Sequence, residues 1–212
     1  MKADTERKVP VNRNYIYILI LFILFVGPGP IALFINRYTA AFVPLLSLVA
    51  VVYLLRREMA AADWNAVLKN KANYRWTWFV LKYGIIAHAA NTVLMSLLLG
   101  GQNPEVRMDD LLGEYLIMPF VVIVVAPMIE EIVYRKILFS FFEKKTGFWI
   151  GAVVSSALFA LGHLDLTRLP AYFAVGLLLC FAYKKSGTIA VPIFAHMALN
   201  LLSIIARTIS AP

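Results

Sequence analysis

The chain reads, from residue 116 to residue 142, LIMPFVVIVVAPMIEEIVYRKILFSFF. This apolar stretch is long enough to cross a bilayer, for which about 20 residues suffice, and it contains two adjacent carboxylates, Glu130 and Glu131. An ionised carboxylate at the middle of a membrane costs about 2.5–3.5 kcal/mol on insertion scales, so an acidic pair inside a span indicates a functional site. The residues elsewhere in the chain that can partner this pair are Arg135, His163, His196 and Asn200.

The composition of the whole chain is that of a membrane protein. Of its 212 residues, 61% are hydrophobic and only 15% are charged, and the mean hydropathy is +0.77. These values exclude an ordinary soluble domain. The net charge of +8 comes from short basic clusters between apolar runs, which is typical of cytoplasmic loops and not of a nucleic-acid surface. Since Cys180 is the single cysteine, an intrachain disulfide and a cysteine-based metal site are excluded.

The apolar runs predict an all-α fold, a polytopic transmembrane helix bundle of about seven spans. The Gly27-Pro28-Gly29-Pro30 segment is expected to end or kink the first helix. The mixed segment from Arg56 to Trp76 is typical of a helix lying at the membrane interface. The predicted spans lie near residues 15–35, 40–55, 77–99, 113–142, 148–164, 169–183 and 187–206.

The distribution of lysine and arginine predicts the orientation of these spans. The basic clusters at 2–13, 56–75, 135–145 and 184–185 are expected to face the cytoplasm. The N-terminus then lies inside and the C-terminus outside, together with the acidic residues Glu105, Asp109 and Asp110. We therefore expect an integral, multi-pass protein of the plasma membrane.

Helix rise predicts which polar residues lie at the same depth. The turns Lys144–Lys145 and Lys184–Lys185 are expected to share one membrane face. At 1.5 Å per residue, Glu130 lies about 21 Å from the first turn, His163 about 24 Å from it along the next helix, and Asn200 about 22 Å from the second. His196 lies one helical turn from Asn200 on the same face. Polar groups from three helices can therefore meet.

The helix that carries the acidic pair has two further features. Glu131 and Arg135 are four residues apart and can pair, while Glu130, rotated by about 100°, faces another direction. A carboxylate beside a histidine suits general-base activation of water. Pro127, which lacks an N–H, is expected to leave the Ile123 carbonyl without its helical partner and to kink the helix.

Three motifs carry a resemblance to a known family. Residues 130–135 (EEIVYR) match Glu-Glu-x-x-x-Arg, residues 159–163 (FALGH) match Phe-x-x-x-His, and residues 196–200 (HMALN) match His-x-x-x-Asn. In this order, each on a separate apolar helix, they resemble the CAAX-protease and bacteriocin-processing (CPBP or Abi) family of glutamate intramembrane proteases. The resemblance covers roughly 115–206. It implies a catalytic core over 111–208, formed by the last four helices, while hydropathy predicts N-terminal transmembrane helices and an interfacial segment over 1–110.

The resemblance also implies a function and roles for the site residues. Glu130 and His163 would activate a water that attacks a peptide carbonyl, and His196 and Asn200 would stabilise the oxyanion. Glu131 and Arg135 would hold the site together. The substrate would be a membrane-associated peptide or protein, either prenylated or of the leader type. No cofactor is expected, and the lipid bilayer is the other partner.

Alternative interpretations remain at this point. A metalloprotease would use histidines and carboxylates as ligands, although the chain lacks the His-Glu-x-x-His arrangement. A non-proteolytic scaffold or immunity protein would use the same polar core to bind a partner, and a transporter would use a midplane carboxylate. His88 and Asn91, one turn apart in the third span, are expected to bond to a neighbouring helix.

Overall fold

The computed structural model describes residues 12–30, 34, 36–99 and 117–210. These residues form eight helices, and no strand occurs within them, so the all-α prediction is confirmed. The helices are α1 (Arg13–Phe25), α2 (Arg37–Ala60), α3 (Trp64–Lys69), α4 (Lys71–Leu98), α5 (118–146), α6 (Phe148–Gly162), α7 (Leu169–Ser186) and α8 (Ala190–Ser210).

Asparagines begin three of the helices. The side chain of Asn12 accepts a hydrogen bond from the Asn14 N–H at the start of α1, and Asn70 does the same for Ala72 at the start of α4. Such caps pair backbone N–H groups that the first turn of a helix leaves without a partner. Helix α1 ends at Phe25, directly before the glycine-proline segment that was predicted to end it.

Helix α5 is continuous but irregular, because two of its segments are π-helical. Val121–Val125 and Ile132–Phe139 have this wider winding, and Glu130 and Glu131 lie in the α-helical turn between them. The Ala126 N–H accordingly donates to the carbonyl of Val121, five residues earlier. Single π turns inside helices are frequent at functional sites.

Helix α5 lies at the centre of the bundle. On one side it packs against α1 and α2, where Phe22 and Val51 meet Val125 and Ile129 in one apolar cluster. On its other side lie α6, α7 and α8. Helix α4 covers α7 and α8, and its Val80 packs with Leu179 and Leu199. The middle of α5 is therefore enclosed by helices on both sides.

The prediction of about seven spans is neither confirmed nor contradicted. Two helices, over Tyr38–Ala60 and Lys71–Leu98, are long and apolar enough to cross a membrane by length and composition, and three shorter helices are also apolar. The segment predicted to lie at the interface is divided among the end of α2, the six residues of α3 and the start of α4, which contains Trp76.

The two lysine-rich turns lie at the same end of the bundle, as predicted. The Nζ of Lys184 is 2.7 Å from Oε1 of Glu143, so the ends of α5 and α7 are joined there. Gly147 makes the tight turn into α6 with a φ of 87°, a conformation that favours glycine. The residues Lys2, Arg7, Lys8, Glu105, Asp109 and Asp110, on which the predicted orientation also depends, lie outside the described residues.

Candidate active site

The two carboxylates of the acidic pair occupy different environments. The Glu131 side chain is completely buried, whereas that of Glu130 is 21% exposed. The difference arises because adjacent helical residues point about 100° apart. Only Glu130 therefore retains surface that water or a ligand can reach.

Glu131 is held by partners from two helices. Its Oε1 lies 3.0 Å from Nη1 of Arg135, the contact predicted from the spacing of four residues, and 2.8 Å from Nδ1 of His196 on α8. The Arg135 guanidinium is fully buried. Its Nη2 also lies 3.5 Å from the carbonyl oxygen of Gly176 on α7. This polar cluster thus links α5, α7 and α8.

His196 lies between the two glutamates. While Nδ1 donates to the carboxylate of Glu131, the other ring nitrogen, Nε2, lies 3.9 Å from Oε2 of Glu130. The hydrogen bond to Glu131 sets the orientation of the imidazole and hence the direction in which Nε2 points. Sequence reasoning paired Glu131 with Arg135 alone and did not anticipate its bond to His196.

His163 lies at the C-terminal end of α6. Its Nδ1 is 2.8 Å from the carbonyl oxygen of Phe159. Because a carbonyl can only accept, Nδ1 carries a proton, and in the neutral ring Nε2 has a free lone pair. The ring stacks on that of Tyr172 on α7 at 3.9 Å between centroids and 25° between planes. The helix end and the stack together fix the position of the imidazole.

Phe159 connects the polar groups of the site. Its ring is 4.6 Å from that of His163 and 5.5 Å from that of His196, edge-on in both cases. The guanidinium carbon of Arg135 lies 4.2 Å from the ring centroid, a favourable cation–π arrangement. The phenylalanine of the motif therefore contacts His163, Arg135 and His196 together.

Asn200 contacts α5 at a point distant in sequence from the acidic pair. Its Nδ2 donates to the carbonyl oxygen of Val122 at 2.9 Å. In the π-helical register this carbonyl would accept from residue 127, which is Pro127 and has no N–H. The expectation that Pro127 leaves the Ile123 carbonyl without its helical partner stays a prediction, and the carbonyl that Asn200 pairs is that of Val122.

Two structural partners carried no recognisable signal in the sequence. Gly176 lies so close to α6 that an added Cβ would be 2.8 Å from Cβ of Ser156, and Tyr172 was not distinguished from other apolar residues of α7. On α4 the Asn91 amide donates at 3.0 Å to the carbonyl of Thr167, which lies in the connection between α6 and α7 and not on a helix as predicted, and His88 packs edge-on to Tyr172 of α7.

The site contains buried polar atoms with incomplete hydrogen bonding. Oε2 of Glu131 and Nε of Arg135 have no hydrogen-bond partner among the described residues. Within residues 12–30, 34, 36–99 and 117–210, no three histidine, cysteine or acidic side chains are placed to hold a metal ion.

Fold and site together define a helical membrane protein with a carboxylate–histidine centre. Residues 112–202 match the family model described as "Type II CAAX prenyl endopeptidase Rce1-like". The resemblance that the three motifs indicate is thereby confirmed. No solved structure matches the chain.

Three curated proteins are similar to this chain. "Putative membrane peptidase YdiL" of Bacillus subtilis (strain 168) is 40% identical over 82 residues, which are 39% of this chain and 34% of the relative. "Membrane-embedded CAAX protease MroQ" of Staphylococcus aureus (strain USA300) is 30% identical over 144 residues, 63% of this chain and 58% of the relative. A 24.3 kDa protein of Escherichia coli is 24% identical over 190 residues, 86% of this chain and 84% of the relative.

The matched regions are only part of the first two relatives. The chain covers 34% of one and 58% of the other. The name of the matching family model, the name of the Staphylococcus aureus relative and the apolar helices all indicate a membrane protein related to CAAX proteases.

Proposed function

We propose that the chain is an intramembrane endopeptidase in which Glu130 and His163 activate a water. The observation that carries this proposal is the unequal environment of the acidic pair. Glu131 is buried and engaged by Arg135 and His196, whereas Glu130 is 21% exposed and faces Nε2 of His196 at 3.9 Å. A carboxylate that is accessible, close to the His196 imidazole and not paired with an arginine suits a general base.

The proposed reaction is hydrolysis of a peptide bond. A water oxygen attacks the carbonyl carbon and its proton passes to Glu130 or to Nε2 of His163, whose Nδ1 is occupied by the Phe159 carbonyl. The tetrahedral intermediate carries a negative oxygen. Its collapse breaks the C–N bond, and the proton held by the base passes to the leaving nitrogen, so a carboxylate and an amine result.

His196 and Asn200 are the proposed oxyanion donors. His196 can donate from Nε2 when both ring nitrogens are protonated, since Nδ1 already faces Glu131. Asn200 uses one N–H for the Val122 carbonyl, which leaves the second N–H of the amide for a substrate. Donors aimed at a developing oxyanion are often worth about 3–4 kcal/mol in a water-poor site.

We propose the remaining features from the family resemblance and from the hydropathy and charge pattern of the chain. The substrate is a membrane-associated peptide, prenylated or of the leader type, and no cofactor takes part. The catalytic core corresponds to residues 111–208, and the first 110 residues supply additional transmembrane helices. The chain crosses the plasma membrane several times with its N-terminus in the cytoplasm.

The test compares peptide termini in membranes from cells that express the wild type or Glu130→Gln at equal levels. The substitution keeps size and polarity but removes the base, so termini produced by the wild type should fall by about 10²–10⁴-fold. Glu143→Gln is a matched control, because it makes the same chemical change on the same helix at the ion pair with Lys184. It should leave the termini unchanged.

The other outcomes discriminate between the alternatives. Termini that depend on Glu130 and persist in a strong chelator support a glutamate protease, and loss of activity in the chelator supports a metalloprotease. If both proteins are folded and abundant and their termini are identical, the endopeptidase proposal fails. A phenotype that Glu130→Gln still rescues would then favour the scaffold.

A further inference from the structure

An apolar cavity opens between α4, α6 and α7, and it shares no lining residue with the candidate active site. Its volume is about 200 Å³, which compares with the engineered apolar cavity of about 150 Å³ that binds benzene. The side chains that line it are all apolar, and they include Phe79, Phe148, Trp149, Ala152, Leu178 and Phe181. Such a cavity suits a hydrocarbon chain and offers water very little polar surface.

The cavity lies at the lysine-rich end of the bundle. Phe148 follows the Lys144–Lys145 turn within three residues, and Phe181 lies one helical turn before Lys185. Trp149 is 75% exposed, and tryptophan in such a position is typical of the membrane–water boundary. The mouth of the cavity is therefore at the level of lipid headgroups.

Lys185 lies at this mouth and, like Lys144 and Lys145, has no ion-pair partner among the described residues. Lys184 is paired with Glu143 at 2.7 Å, whereas the Lys185 ammonium lies 5.5 Å from the ring centroid of Phe181. Within the described part of the chain, Lys185 forms no ion pair, and its side chain is exposed. A free cation thus stands directly beside a ring that lines the hydrocarbon cavity.

We propose that this cavity binds one acyl chain of an anionic phospholipid whose phosphate pairs with Lys185. Basic pockets between transmembrane helices commonly hold anionic headgroups. A zwitterionic phosphatidylcholine can insert the same acyl chain, but its choline cation would offset the attraction of its phosphate for Lys185. The site thus favours an anionic lipid through its headgroup and not through its acyl chain.

The test measures which lipid the purified full chain retains from an equal mixture of phosphatidylglycerol and phosphatidylcholine, by native mass spectrometry. One lysine near an anionic surface contributes about 1 kcal/mol, so phosphatidylglycerol should be enriched about fivefold. Lys185→Gln should reduce this enrichment to near one. Lys145→Gln is the matched control, because its ammonium lies over Phe141, which does not line the cavity, and it should keep the enrichment.

A second variant tests the cavity itself. Leu178→Trp fills the cavity and should lower the retention of both lipids. The proposal is overturned if the wild type retains the two lipids equally, if Lys145→Gln loses as much enrichment as Lys185→Gln, or if a folded Leu178→Trp retains as much lipid as the wild type. Should Leu178→Trp not fold, the comparison of the two lysine variants decides alone, since both side chains are exposed.

Discussion

The Nδ1 of His196 lies 2.8 Å from Oε1 of Glu131, and the same oxygen lies 3.0 Å from Nη1 of Arg135. One buried carboxylate thus bridges a cation on its own helix and an imidazole on α8. Glu131 thereby joins α8 to α5 and orients His196 toward Glu130. The two glutamates therefore have different roles: Glu131 is buried and holds the site together, and Glu130 remains accessible.

This arrangement predicts a large stability cost when only the arginine is removed. Arg135→Met leaves the completely buried Glu131 without its cation, and breaking a buried pair in this way costs about 3–5 kcal/mol. Thermal unfolding in a mild detergent measures the loss. The exposed Arg56, which caps the Tyr53 carbonyl, supplies the control Arg56→Met, expected to change stability by less than about 0.5 kcal/mol.

The double variant Glu131→Gln/Arg135→Met shows why Arg135→Met is destabilised. The cause is either the lost attraction between the two side chains or the buried charge of Glu131 that has no counter-ion. Glu131→Gln in the Arg135→Met background removes the buried negative charge, so it should recover much of the stability lost in Arg135→Met, although Gln keeps a polar group at the site. If the double variant is less stable than Arg135→Met alone, the buried charge is not the cause of the loss.

Local geometry explains which contacts could be predicted from the sequence. The Glu131–Arg135 pair follows from the spacing of four residues in a helix, whatever surrounds it. The bond between Glu131 and His196 depends on how α8 is rotated about its axis, which is set by packing against α4 and α5. The helical class, the break after Phe25 and the common end of the two lysine turns were predictable, because apolar runs, the glycine-proline segment and the basic clusters indicate them directly.

The π-helical segments of α5 were not predictable in the same way. Apolar periodicity is nearly lost in a helix that is hydrophobic on all sides, so a change from 3.6 residues per turn leaves no pattern. Pro127 signalled an irregularity, but the sequence did not predict that Asn200 bonds to the Val122 carbonyl.

The bond from Asn200 predicts coupling with Pro127. Asn200→Leu leaves the Val122 carbonyl unpaired, at a cost of about 0.6 kcal/mol on average and at most about 1.7 kcal/mol for such bonds in membrane bundles. Pro127→Ala supplies an N–H that can pair with this carbonyl in its place. A double-mutant cycle on unfolding should therefore show a smaller cost of Asn200→Leu in the Pro127→Ala background, and strictly additive effects would contradict the assignment.

The close approach of α6 and α7 predicts that Gly176 tolerates no side chain. In Gly176→Ala the new Cβ would lie 2.8 Å from Cβ and 3.0 Å from Cα of Ser156, so the helices must separate at a cost of about 1–3 kcal/mol. Gly84→Ala is the control, since its Cβ would meet only the flexible end of Leu199 at 3.0 Å. It should cost less, and Ser156→Gly should partly restore Gly176→Ala.

The stack of Tyr172 on His163 predicts a positioning effect on the proposed reaction. Tyr172→Leu removes the aromatic face 3.9 Å from the imidazole, and a misplacement of about 1 Å can cost up to about a hundredfold in rate. We expect kcat to fall with little change in KM, whereas Tyr172→Phe, which keeps the ring, should retain most of the activity. Equal losses in the two variants would show that the hydroxyl matters and not the stack. An unchanged kcat in a folded Tyr172→Leu would show that the helix end and the Phe159 carbonyl alone hold His163 in place.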